Sequence, residues 1–272
     1  MAVSELLAPL CGAEEDAPTL AWAAAAARAL DTTATGFLAT PDPAEALIWS
    51  TDGAFGSLPG AVLESARAGT EEAWVRTQAR AAAHGPILTV ERAEGSPEEL
   101  VLRRAALCDL VVMSCACARG KGLLSGVFEA LLIQARAPML VARGDPARLT
   151  GPAVIAWDGS FEAARAVRAA IPVLALSRQV VILQAEPLER PYAEPARLVA
   201  YLVRHGVANV QTRMLSAGGD VARRLLDAAG EVGAGLFVAG AYGHSRAQEF
   251  VFGGATRAFL SASASPALLL RH

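Results

Sequence analysis

Residues 240–260 read GAYGHSRAQEFVFGGATRAFL, a Gly-x2-Gly-x9-Gly-Gly pattern directly after the apolar run GLFVA. Gly240 and Gly243 would let the backbone approach a ligand closely. Gly253 and Gly254 open a helix whose first N–H groups and dipole favour an anion such as phosphate. The chemistry this pattern suits is a polyphosphate cradle. A strand-to-helix turn also needs residues tolerant of positive φ, and on spacing alone the two readings stand level. Tyr242, His244, Ser245 and Arg246 share the loop, and Arg246 is the best donor to phosphate oxygens among them. A plain exposed polar loop is an equal alternative for those four.

A second motif is Trp157-Asp158-Gly159-Ser160 at the end of an apolar run. In an open parallel sheet, ligands bind beyond the carboxyl ends of the strands, so this motif and the glycine loop can face one crevice. Asp158 could accept hydrogen bonds from a ribose hydroxyl or an exocyclic amine. Taken by itself, Asp-Gly-Ser is more simply a turn followed by a helix N-cap. Cys115-Ala116-Cys117 invites a metal or redox reading. Read as strand residues, however, the two thiols lack both a Cys-x2-Cys turn and histidines at ligand spacing, so buried apolar thiols are the better account. His84 and His205 end helical stretches beside Gly85 and Gly206, an ordinary capping arrangement. No nucleophile elbow, HExxH or paired-acid arrangement occurs, so nothing points to hydrolysis of an ester, peptide or glycoside.

These residues need elements to position them, and short β-rich runs alternate with Ala/Arg/Glu-rich helical stretches along the whole chain. That is the pattern of a parallel sheet with crossover helices. Strands are expected at 4–10, 34–40, 86–92, 109–114 and 138–143, and again at 153–157, 180–185, 209–215, 235–241 and 266–271. The halves align as a repeat. LAPLCGAEE matches VIAWDGSFE at an offset of 147, with Cys11 opposite Asp158. LVVMS matches the run ending at Gly240 at 126, and Gly126 to Pro138 matches Gly254 to Pro266 at 128. The shrinking offset gives the first half about 20 extra residues, expected in the Pro/Gly-rich stretch 41–60. The expectation is two tandem domains, residues 1–146 and 150–272. One doubly wound sheet of ten strands is the alternative.

With 272 residues, 53% apolar and 19% charged, the chain can bury a sizeable core, and its net charge of −3 argues against nucleic acid as a partner. Lys121 is the only lysine, which excludes Schiff-base or phosphate-loop lysine chemistry elsewhere; Gly120-Lys121-Gly122 is no Walker loop. Four cysteines are too few for a disulfide scaffold, and no export signal or membrane-length apolar run is read. A cytoplasmic protein with no membrane partner is expected.

VIAWDGSFEAARAVRAAIP, the glycine loop and the terminal SPALLLRH together resemble the universal stress protein family, and the duplication resembles its tandem two-domain members. The resemblance is strong over 152–272 and rests mainly on order and offsets over 1–146. It implies an α/β fold of two five-stranded parallel sheets, Rossmann-like and akin to adenine nucleotide alpha hydrolases. It further implies ATP or a related adenine nucleotide, with or without Mg2+, bound in the second domain. Carried over by position, Asp158 would serve the nucleoside, and Gly240, Gly243, Gly253 and Gly254 the phosphates. One departure is Gly254, where the family has Ser or Thr; Arg246 could compensate for the missing hydroxyl.

The first half has Cys11, Ser114 and Cys117 in place of Asp158, Gly240 and Gly243, and its loop is shorter, so no nucleotide cradle is expected there. The resemblance also implies pairing of the two domains through PMLVAR and PALLLR, and a further homodimer. Three rival readings follow nucleotide binding in order: a scaffold acting through partner contacts, a slow ATPase, and a thiol sensor using Cys115 and Cys117.

Overall fold

The computed structural model describes residues 3–42, 60–185, 194–216, 218–241, 254–262 and 266–272. The first half runs β1 (Leu6–Leu10), α1 (Asp16–Ala29), β2 (Ala34–Thr40), α2 (Gly60–Ala82), β3 (Leu88–Glu94), α3 (Pro97–Ala105), β4 (Leu110–Ser114), α4 (Cys115–Ala118), α5 (Ser125–Ile133) and β5 (Met139–Ala142). After a 3-10 turn at Pro146–Arg148, the second half runs β6 (Pro152–Ala156), α6 (Phe161–Leu174), β7 (Gln179–Ala185), α7 (Pro195–Arg204), β8 (Val210–Leu215), α8 (Val221–Val232), β9 (Leu236–Gly240), α9 (Gly254–Ser261) and β10 (Ala267–Arg271). All ten expected strands are present, each within two residues of its expected bounds. Among the described residues, no helix is long and apolar enough to cross a membrane.

The strands form one sheet in the order β3-β2-β1-β4-β5-β10-β9-β6-β7-β8. Within each half all neighbours are parallel, and β5 and β10 join the halves antiparallel through Leu268↔Val141, Leu269↔Leu140 and Leu270↔Met139. The molecule is therefore α/β, two five-stranded parallel windings fused edge to edge into ten strands. Leu140 and Leu269, both fully buried, face each other on a pseudo-two-fold axis. One face of the sheet is covered by α1 and α6, with Trp22 and Ile171 among the packed side chains; the other is covered by α5, α8 and α9, with Phe128 and Phe259. Central strands such as β4 and β9 are apolar on both faces because helices cover both, as parallel sheets require.

Sheet register supports the repeat and corrects its end. Leu6 pairs with Leu110 and Ala153 with Leu236, which fits the offsets of 147 and 126. Val111 pairs with Met139, and its counterpart Phe237 pairs with Leu268, so the last strands correspond at 129 rather than 128. The starts of α5 at Ser125 and α9 at Gly254 keep the same 129, which makes Ser125 the counterpart of Gly254. The surplus of the first half does lie between β2 and β3, but not in 41–60 alone. The helix α2 has 23 residues against 10 in α7, and that difference takes up more than half of it.

The helix that follows β6 shows how local sequence fixes the frame. Ser160 sits in extended backbone and its Oγ accepts from the Ala163 N–H at 3.1 Å, a helix N-cap. Ala163, Ala166, Val167, Ala170, Ile171 and Leu174 then recur at helical spacing and are all buried. Removing the cap in Ser160→Ala is expected to lower stability by about 1 kcal/mol. Thermal unfolding measured beside wild type checks this, and an unchanged midpoint would remove the cap from the account.

Candidate functional site

The candidate crevice lies at the carboxyl ends of β6 and β9, where the winding order of the second half reverses. Trp157 is buried, and its N–H donates to the Leu183 carbonyl at 2.9 Å, which continues the β6–β7 pairing one residue beyond the strand. The chain then turns through Asp158 and Gly159, the latter at φ +74°. Asp158 is exposed, and its Oδ1 accepts from the Ser160 N–H at 2.9 Å. The turn-and-cap role weighed for Asp-Gly-Ser is thus realised in the structure. Asp158 itself stays exposed just beyond the carboxyl end of β6.

Gly240 closes β9 directly against this turn. A Cβ there would stand 2.6 Å from the Ala163 N and 2.7 Å from the Glu162 carbonyl carbon. Packing of the α6 N-terminus therefore already demands glycine at 240, with or without a ligand. At Gly254, the first residue of α9, a Cβ would meet nothing within 4 Å among the described residues. Gly243, Arg246 and Gly253, with Tyr242, His244 and Ser245, lie outside the described residues.

The register adds residues that the motif reading missed. Arg271 is the Cα partner of Gly240, and the Ala241 N–H donates to the Arg271 carbonyl at 3.1 Å. Parallel neighbours in register point to the same face, so the Arg271 side chain lies on the α6 side of the sheet. Burial, followed by the nearby charges of Arg168 and Arg165, holds its guanidinium below the usual arginine range. Glu162 pairs with Arg165 at 3.4 Å. Arg271, Arg168 and Arg165 thus lie near one another on the α6 side, with the Glu162 carboxylate paired to Arg165.

Neither a family model nor a curated protein matches the sequence. Among solved structures, a universal stress protein from Archaeoglobus fulgidus DSM 4304 superposes over 98% of this chain and 95% of its own, at 16% identity and a TM-score of 0.70. The chain has the universal stress protein fold. A functionally unknown protein from Pseudomonas aeruginosa PAO1 is also similar, over 99% of this chain and 92% of its own, at 11% identity and a TM-score of 0.56.

Within this universal stress protein fold, the first half treats the equivalent turn differently. Cys11 and Gly12 follow β1, and Gly12 keeps the left-handed φ of its counterpart Gly159, at +79°. The Asp16 carboxylate, 3% exposed, turns back onto them. Its Oδ1 accepts from the Cys11 N–H at 3.1 Å and its Oδ2 from the Gly12 N–H at 2.7 Å. Glu15 reaches across to the loop after β4, where its Oε1 accepts from the Leu123 N–H at 3.1 Å and from the Cys11 thiol at 3.2 Å. A Cβ on Gly122 would lie 2.8 Å from Glu15 Oε2 and 2.5 Å from Cys117 Sγ, so this loop packs closely on the carboxylate. The chain's own acids occupy backbone donors at the carboxyl ends of β1 and β4. At the offset of 147, Asp16 corresponds to Ala163 and Glu15 to Glu162.

The cysteines also sit differently from the strand reading. Cys115-Ala116-Cys117 opens a helical turn, α4, capped by Ser114, whose Oγ accepts from the Cys117 N–H at 3.1 Å. An apolar run followed by Ser conceals this, because the cap rather than any alternation of polarity ends the strand. Burial first, and then the Asp16 and Glu15 carboxylates, pushes the Cys11 thiol up. Burial is also the main cause that raises Cys117, and it takes Cys108 to about 11. These three thiols are protonated at neutral pH, the form that neither attacks a disulfide nor ligates a soft metal. Among the described residues, no group of three His, Cys, Asp or Glu side chains could hold a metal ion.

Proposed function

We propose that this protein is a tandem universal stress protein of the cytoplasm whose second half binds ATP or a related adenine nucleotide and whose first half does not, acting in stress response or signalling. The observation that carries the reading is the exchange at one turn: Asp16 fills the turn after β1, and Ala163 stands in its place after β6. The second half lacks the internal carboxylate, and has an exposed Asp158 at this turn and Arg271 beside Gly240. Asp158 would accept from the nucleoside. The phosphates would be held at the start of α9 by Gly254 and, in the sequence before it, by Gly243, Gly253 and Arg246.

The test is calorimetric titration of Mg-ATP into protein first stripped of any co-purified nucleotide. One site per chain is expected. Asp158→Ala should weaken binding about tenfold through the loss of a hydrogen bond. Gly254→Ser, whose Cβ would meet no atom of the described residues within 4 Å, places a hydroxyl at the first helical position and should tighten binding by a similar factor. No binding heat at millimolar Mg-ATP would favour a scaffold that acts through partner contacts.

A further inference from the structure

The short helix α9 ends against side chains from the other half of the molecule. Arg143, which follows β5 and is 5% exposed, donates from Nη1 to the Phe259 carbonyl at 2.6 Å and to the Ala262 carbonyl at 3.0 Å. Arg119, which follows α4, donates from Nη2 to the same Ala262 carbonyl at 2.9 Å. Both guanidinium groups therefore meet the negative end of the α9 dipole, where cations are favoured. An eight-residue helix has too few turns to hold itself and depends on tertiary anchors. On its own side, α9 has Phe259 tilted against Phe237 at 5.0 Å between ring centroids, with Leu260 buried beside it.

We infer that Arg143 and Arg119 are positioning residues through which the first half holds α9, and with it the Gly254 end of the candidate phosphate site, in place. Stability alone is a poor reason for this pair. Among the described residues, the Nε and Nη2 of Arg143 and the Nε of Arg119 are buried without a hydrogen-bond partner, and the two positive groups repel each other. An apolar side chain of similar volume would cost less. What the arginines uniquely provide is a charged, two-point grip on the carbonyl end of a helix whose other end opens towards the crevice. A half that carries no nucleotide cradle then still governs the one that does. The consequence for nucleotide rests on the function proposed above; the grip on α9 does not.

The experiment measures amide hydrogen exchange across residues 254–262, together with Mg-ATP affinity, in full-length wild type, Arg143→Gln, Arg119→Gln and Arg143→Lys. Arg148→Gln is the control. Arg148 Nη2 donates to the Gly233 carbonyl at 2.5 Å, so it grips the end of α8 and not α9. Either glutamine variant is expected to speed α9 exchange about tenfold or more and to weaken Mg-ATP by a similar factor, the size of one lost charged hydrogen bond. Arg148→Gln should change neither quantity. Arg143→Lys, which keeps the charge but not the fork, should recover part of the protection. Unchanged α9 exchange in both glutamine variants would overturn the grip, and faster exchange with unchanged affinity would overturn its link to the site. If wild type binds no Mg-ATP, the nucleotide reading falls, while the exchange comparison still decides whether the first half holds α9. Should Arg143→Gln fail to fold, Arg119→Gln carries the test, because Arg119 is only partly buried and supplies one bond.

Discussion

Asp16→Ala is expected to cost about 2–4 kcal/mol of stability at neutral pH, because it strips two backbone donors of their acceptor at once. The Cys11 and Gly12 N–H groups both point at this carboxylate, and Gly12 is buried. Alanine offers no acceptor to either N–H. Asp16→Asn should recover only part of the loss, since one amide oxygen replaces two carboxylate oxygens. Burial, the largest influence, raises the Asp16 carboxyl above its ordinary value, while the two amide bonds lower it. A folded-state pKa above the unfolded one contributes stability that is fully present below the unfolded carboxylate range and is lost as pH rises through the raised value. The advantage of wild type over Asp16→Ala should therefore be greatest in acid and decline to its neutral value. Denaturant unfolding of both proteins across that pH range measures the difference, and equal stability at neutral pH would show that the amides have another acceptor. The same variant asks whether the first turn, once emptied, acquires phosphate-dependent stabilisation. If the carboxylate stands where an anion would, added phosphate should raise the midpoint of Asp16→Ala and leave wild type unmoved.

The strands were legible because each is an apolar run of about the right length bounded by turn residues, and the halves were legible because their turns repeat. Ala34–Thr40 coincides with its expected span, and Cys11 and Asp158 do occupy equivalent turns. The last strand slipped by one residue because PMLVAR and PALLLR share a proline and an arginine at 128. Register is set by hydrogen-bonded neighbours and by which face is buried, and a shift of one reverses every side chain. Under the true register, His272 rather than Arg271 is the counterpart of Arg143, which leaves Arg271 to turn towards α6 beside Gly240. Glu15 and Asp16 were passed over because acids at a helix start look like ordinary dipole partners. The signal that could have marked them is in the repeat itself, where Asp16 is matched by Ala163. Arg143 and Arg119 could not be found along the chain at all. Their partners lie more than 110 residues away and come near only when β5 and β10 join the halves.

The glycine at 240 sharpens what the motif can be taken to mean, and Gly240→Val tests it with the largest effect expected in the second half. Its Cβ would enter the backbone of the α6 N-terminus, where the nearest atoms are the Ala163 N and the Glu162 carbonyl carbon, at 2.6 and 2.7 Å. Backbone atoms at a capped helix start cannot rotate aside as a flexible side chain can. Either α6 shifts and strains the Ser160 cap, or β9 withdraws from its pairing with β10. Overpacking of this kind costs about 1–3 kcal/mol, and a β-branched side chain belongs at the upper end. The loss should appear in protein stripped of nucleotide, because packing alone accounts for it. Nucleotide affinity should fall as well, through displacement of the Asp158 turn that leads into α6. Gly240→Ala is the milder companion, with the same collision at Cβ and no further bulk. An unchanged unfolding midpoint in the stripped Gly240→Val protein would mean that the contact between β9 and α6 yields freely, and that the glycine is kept for a ligand's approach. A lowered midpoint in both variants would make Gly240 a joint of the frame, so that contact with a ligand must then be sought at Gly254 and in the residues preceding it.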